Sequence, residues 1–153
     1  MLEEISLEVG EMSNTQICFR KLHRYKYQLM EDYSVNIDIQ PAADIVTDFI
    51  TLSTSGDLVI NNRYAWDGAS GPVIDTRSVM RASLIHDALY QLMRGQWLDQ
   101  SYREYADRLM KEMCLADGMW GFRAAYIYWA IHTFGAAGAK PPAVPEDERR
   151  YAP

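Results

Sequence analysis

Two helix-forming segments joined by only seven residues constrain this chain more than any other feature. Residues 78–93 contain no Gly or Pro, and Leu84, Ile85, Ala88, Leu89, Leu92 and Met93, with the Arg81 stem, recur at helical spacing. Gly95 ends that pattern. A second pattern begins at Ser101, which is placed to cap free backbone donors, and Glu104 three residues on completes a capping box. Its apolar stripe is Tyr102, Tyr105, Ala106, Leu109, Met110 and Met113. A link over 94–100 leaves the two helices antiparallel and adjacent, with axes roughly 8–10 Å apart.

Counting outward from that link sets the heights of the polar groups. His86 lies seven residues before Met93 and Asp107 six after Ser101, which is roughly 10 Å and 9 Å along the two axes. The imidazole and the carboxylate are therefore expected at matching heights. A carboxylate at hydrogen-bond distance fixes the imidazole tautomer and raises its basicity, leaving the other ring nitrogen to take a proton from water. Asp87 is then free to hold a cation. The alternative is a solvated polar face: Ser83, His86, Asp87 and Tyr90 lie away from the densest apolar arc, and Asp107 can pair with Arg103 or Lys111 at the i,i+4 spacing.

Upstream, Tyr64-Ala65-Trp66-Asp67-Gly68-Ala69-Ser70-Gly71-Pro72 combines turn-forming glycines and proline with small side chains that leave carbonyl oxygens uncovered. Such a loop suits a hard cation. Calcium takes about six to eight oxygens, and Asp67, Asp87 and loop atoms around Gly68 and Ser70 are candidates to supply several. A plain turn leaving a strand, capped by Asp67, explains the same composition.

The order Trp66-Asp67-Gly68-Ala69-Ser70, His86-Asp87-Ala88-Leu89-Tyr90 and Ala106-Asp107 resembles an uncharacterised family of bacteriophages and prophages, known as a domain of unknown function, over about residues 48–134. The last two elements also resemble the phospholipase A2 superfamily, over about 66–113. That second resemblance implies that His86 activates the attacking water, Asp87 binds calcium, Asp107 orients His86, and Tyr90 matches the tyrosine after the His-Asp pair. The substrate it implies is a lipid ester. The chain departs from those lipases in lacking the disulfides that tie loop to helices: the loop has no cysteine, and of the two helices only the second carries one, Cys114.

A chain of 153 residues, 48% hydrophobic, is suited to one good core. The expected organisation is a single α+β domain over 1–137 and a Pro-rich, extended or flexible tail over 138–153. Cys18 and Cys114 provide no disulfide framework and are expected as buried thiols. The acidic start lacks the features of a signal peptide, so the expected location is the host cytoplasm or an assembled virion. A net charge of -6 disfavours nucleic acid, and it opposes adsorption to anionic lipid unless calcium or an aromatic patch compensates. The basic run from Arg20 to Lys26, which includes His23, is expected on a solvated strand face.

Strands are expected over 16–22, 35–40, 49–53 and 58–61, the last two as a hairpin, forming a small antiparallel meander packed on the helices. A third helix over 119–134, apolar almost all round, is expected at the centre of the core. It is shorter than the ~20 residues of a bilayer span, and His132 has no evident local partner. A membrane-surface or partner-binding role for this helix is the lesser alternative. No phosphate-binding glycine fingerprint, Cys-x-x-Cys pair or Gly-x-Ser-x-Gly elbow is present. A two-metal phosphohydrolase lacks a well-placed further histidine. Two functions remain open: a calcium-assisted ester hydrolase, or a phage structural or accessory subunit in which the His-Asp pair fastens two helices and the third helix or tail meets other subunits.

Overall fold

The computed structural model describes residues 15–22, 27–69 and 74–141. Short strands fill the N-terminal half and helices the C-terminal half, an α+β arrangement. The strands are β1 (Phe19–Lys21), β2 (Tyr27–Leu29), β3 (Tyr33–Asn36), β4 (Ile45–Val46), β5 (Ile50–Leu52), β6 (Asp57–Ile60) and β7 (Ala65–Trp66). They form two antiparallel sheets, ordered β1-β2-β7 and β3-β6-β5-β4. The expected hairpin is β5–β6, with Leu52 opposite Leu58. Its turn closes on Gly56 at φ 90°, where a Cβ would stand 2.3 Å from the Ile37 carbonyl oxygen, so only glycine fits. Because β3 adds to the far side of β6, the sheet is not a simple sequential meander.

Among the described residues four helices follow: α1 (Arg77–Arg94), α2 (Arg103–Ala116), α3 (Gly121–Phe134) and the single turn α4 (Ala136–Ala139). Helix α1 occupies the centre of the core. Its apolar residues are buried together with the Arg81 stem and with Ser83, His86 and Tyr90, so the alternative of a solvated polar face does not hold for these three, while Asp87 is partly covered. Each polar group has a partner: Trp66 Nε1 donates to Ser83 Oγ at 3.1 Å, and the Arg81 guanidinium grips Asp117 at 2.7 and 3.0 Å. Ile50, Leu52, Leu58 and Ile60 of the sheet, with Leu29, Tyr33 and Trp66, join the apolar residues of α1 in one core cluster. Side chains of this size each contribute about 1.5–3 kcal/mol when fully buried.

Several local expectations need correction. Helix α2 is entered through a 3-10 turn, Gln100–Tyr102, and the cap is Asp99, whose carboxylate accepts from the Ser101 amide at 2.8 Å. Ser101 lies inside the turn and is not the cap. Helix α3 is a surface helix: Ala124, Ile127, Ala130 and Ile131 face inward, while Phe122, Tyr126, Trp129 and Phe134 are exposed. Residues 138–139, assigned to the tail by composition, belong to α4. Arg94 Nη1 donates to the Gly138 carbonyl at 3.0 Å and Gln100 Nε2 to that of Ala139. Cys18 is exposed, whereas Cys114 is buried and its thiol pKa is pushed up to about 12 by burial. The basic run is described only to Leu22, so His23 lies outside the described residues, as do 142–153 of the tail.

Candidate functional site

The antiparallel α1–α2 pair brings His86 and Asp107 together as the height count requires. His86 Nε2 and Asp107 Oδ1 are 2.7 Å apart, with Asp107 fully buried and His86 only 7% exposed. Tyr90, one turn further along α1, donates its hydroxyl to the same Oδ1 at 2.5 Å and lies beside the His86 ring, centroids 4.0 Å apart. The second carboxylate oxygen is also occupied. Oδ2 lies 3.1 Å from His132 Nδ1 on α3 and 3.9 Å from Arg103 Nη2. Burial alone would raise the Asp107 pKa, but the hydrogen bonds from His86, Tyr90 and His132 and the His86 charge outweigh it, and the carboxyl is held below its usual range.

An ionised carboxylate only accepts, so Nε2 of His86 carries a proton and Nδ1 is the ring nitrogen left to exchange one. Among the described residues Nδ1 has no hydrogen-bond partner. No fully enclosed side-chain nitrogen or oxygen there lacks one, which leaves Nδ1 in touch with solvent. His86, Asp107 and Tyr90 therefore form one cluster. The expectation that His132 stands without a partner is corrected: α3 carries it to Asp107. The same counting across the turn would have found it, since Asp107 lies nine residues before Ala116 and His132 eleven after Gly121, roughly 14 and 16 Å along their axes.

Asp87 points elsewhere. It is not free: Tyr64, just before β7, donates its hydroxyl to Asp87 Oδ2 at 2.6 Å. Burial pushes the Asp87 carboxyl above its usual range, against the opposing effects of the Tyr64 bond and the charges of His86 and Arg94, while nearby Asp67 adds to the rise. Desolvation by burial also drives Tyr64 itself well above the ordinary tyrosine range. No sequence pattern announces Tyr64 as this partner, because its position depends on the path of the strands.

Asp67 is exposed at the turn, and Gly68 is buried with φ 79°. The turn is tethered by Asp75 rather than by Asp67. Asp75 Oδ1 accepts from the Ala69 amide at 3.0 Å, Oδ2 accepts from the Tyr27 hydroxyl at 2.9 Å, and a Cβ on Gly68 would collide with the Asp75 carboxylate at 2.7 Å. Ser70 lies outside the described residues. Among those described, no group of three or more His, Cys, Asp or Glu side chains is arranged to hold a metal ion. Asp87 and Asp67 make two carboxylates, which fits the beginning of a hard-cation site and not a complete shell. No helix among the described residues is long and apolar enough to cross a membrane.

No protein-family model matches the chain, and no curated protein or solved structure matches it either.

Proposed function

We propose that this protein is an ester hydrolase in which His86 activates water. The observation that carries this reading is the 2.7 Å pairing of His86 Nε2 with a fully buried, ionised Asp107, which leaves Nδ1 basic. In the proposed reaction Nδ1 takes a proton from water as the oxygen attacks the ester carbonyl carbon. Asp107 stabilises the imidazolium through the Nε2 hydrogen bond. The tetrahedral intermediate then collapses, and the departing alkoxide takes the proton back from Nδ1, giving an acid and an alcohol. Tyr90 acts by holding Asp107 and packing against the imidazole.

The resemblance to phospholipases A2 and to a phage-associated family extends this reading to a lipid ester substrate and a phage context. Calcium belongs to the same proposal: Asp87 and Asp67 would hold it, and when bound it supplies positive charge to the developing oxyanion. A second reading, a helix fastener in a phage virion or accessory subunit, is favoured by one feature, the number of donors converging on a carboxylate with no exposure at all.

Hydrolysis of a short-chain nitrophenyl ester and of phosphatidylcholine vesicles, with and without calcium, separates the two. His86→Gln keeps an amide donor for Asp107 but cannot take a proton, so the rate should fall about 100-fold or more with the melting temperature nearly unchanged. Wild-type protein that hydrolyses neither substrate, or a His86→Gln variant as fast as wild type, would leave the fastener standing. Calcium should raise the melting temperature by mass action; no shift would remove the metal from the proposal and leave the role of His86 intact.

A further inference from the structure

We infer that the outer face of α3 is the contact surface for a second copy of this chain, the two α3 helices packing antiparallel about a two-fold axis. Trp120, Phe122, Tyr126, Trp129 and Phe134 are between 44% and 74% exposed, on and just before one helix of 14 residues. The rings form two groups, Trp120 edge-on to Phe122 at 5.7 Å and Trp129 against both Tyr126 at 5.9 Å and Phe134 at 5.7 Å, and Phe122 and Tyr126, four residues apart, bring the groups to one side of the helix. With about 150–250 Å² per ring, exposures of this size leave roughly 600 Å² of aromatic surface open. That is the upper end for the largest apolar patch on a monomer, and with Ala125 and Thr133 alongside it approaches the ~800 Å² per partner of a stable interface.

Charge selects the occupant. The chain carries -6 overall, yet α3 contains no acidic residue. Its one fixed charge, Arg123, is turned to the Thr76 hydroxyl at 3.0 Å and the Ile74 carbonyl at 2.9 Å, and neighbouring Lys111 sits over the Tyr128 ring. Two negatively charged copies can therefore meet on this face with the least repulsion. An anionic lipid surface is the poorer occupant, because the net charge of -6 opposes it and Arg123 is turned inward rather than outward as a cationic flank.

Shape agrees with a self-complementary contact. Phe122, Tyr126 and Trp129 form a ridge at helical spacing, and Gly121 and Ala125 leave a shallow trough beside it. Nothing stands within 4 Å of where a Cβ on Gly121 would be. In an antiparallel pair the ridge of each helix meets the trough of the other, the same surface serving both sides as two-fold symmetry demands. His132 borders the face, so the contact would cover the open part of a ring that reaches Asp107.

Sedimentation equilibrium of the full chain should give twice the 17.6 kDa of one copy. Phe122→Glu combined with Trp129→Glu should weaken the dimer at least about thirtyfold, the loss expected for a central ring, with an unchanged far-UV circular dichroism spectrum. Should that variant fail to fold, Ala125→Cys in a Cys18→Ser background places a thiol near the axis, and mild oxidation should link two copies. A wild-type chain that stays at the mass of one copy at every attainable concentration overturns the inference. So does a dimer unaffected by the two glutamates, an Ala125→Cys variant that does not cross-link, or a monomer that instead pellets with phosphatidylcholine vesicles.

Discussion

Asp107 and Asp87 are both drawn into the helical core, and their surroundings move them in opposite directions. Asp107 accepts from His86, Tyr90 and His132, and its carboxyl is held below the usual range despite complete burial. Among the described residues Asp87 has one side-chain donor, Tyr64, and desolvation carries it the other way although that bond and the His86 and Arg94 charges oppose the shift. Burial is common to both, so the number of donors decides which carboxylate is at ease with its charge. The Asp107 cluster is a saturated knot joining three helices; the Asp87 corner is a charge kept at a cost to stability.

The hardest test of that contrast is Asp107→Ala. Removing the shared acceptor leaves His86 and Tyr90 facing an empty, dry position, and stability measured by urea denaturation should fall by about 3–5 kcal/mol. The pH dependence has a definite sign. A folded pKa below the unfolded one gives stabilisation that is fully present above the unfolded value of about 4 and is lost as pH falls through the folded value, so wild type should weaken in acid below about pH 4 and the variant much less. An Asp107→Ala protein as stable as wild type would mean that the knot contributes nothing and that its donors find water instead.

The helix pair and the His86–Asp107 meeting were legible because both follow from short-range quantities, the 1.5 Å rise and a short link. The alternative that a helical wheel leaves open, a wet stripe of Ser83, His86, Asp87 and Tyr90, fails on burial: Ser83 and His86 find partners far along the chain in Trp66 and Asp107, as the core-facing Arg81 does in Asp117, and α1 is central. Helix α3 errs in the opposite sense. Apolar on every side, it reads as a core helix, but the other elements cover only its Ala124, Ile127, Ala130 and Ile131 side. Strands β2, β4 and β7, two or three residues long, carry too little alternation to be read, and the tether at Asp75 depends on a turn whose path no local pattern specifies.

A smaller effect of opposite sign is expected at the other acid. Asp87→Asn keeps an oxygen to accept from Tyr64 and removes the buried charge, so it should raise stability by about 1 kcal/mol at neutral pH, roughly 2–4 °C in melting temperature. Because the folded pKa of Asp87 is raised, the native state binds more protons than the unfolded state between the ordinary value near 4 and the raised one. The ionisation penalty is absent below that window and grows as pH rises through it. The benefit of the asparagine should therefore disappear in acid, and a benefit independent of pH would show that charge is not its cause.

The smallest effect should come from His132→Ala, and it asks whether the knot depends on its outermost member. The His132 side chain is 44% exposed, its ring stacks on Tyr128 at 5.4 Å, and its bond to Asp107 Oδ2, at 3.1 Å, is longer than either bond on Oδ1. A partly solvated pair of this kind contributes at most about 1 kcal/mol, and alanine returns about half of that through its better helix propensity. Asp107 keeps both buried donors from α1, so urea denaturation should find His132→Ala within about 0.5 kcal/mol of wild type. A loss approaching that of Asp107→Ala would place the weight of the knot on α3, and the contrast between the two acids would then rest on the surface helix rather than on the buried α1–α2 pair.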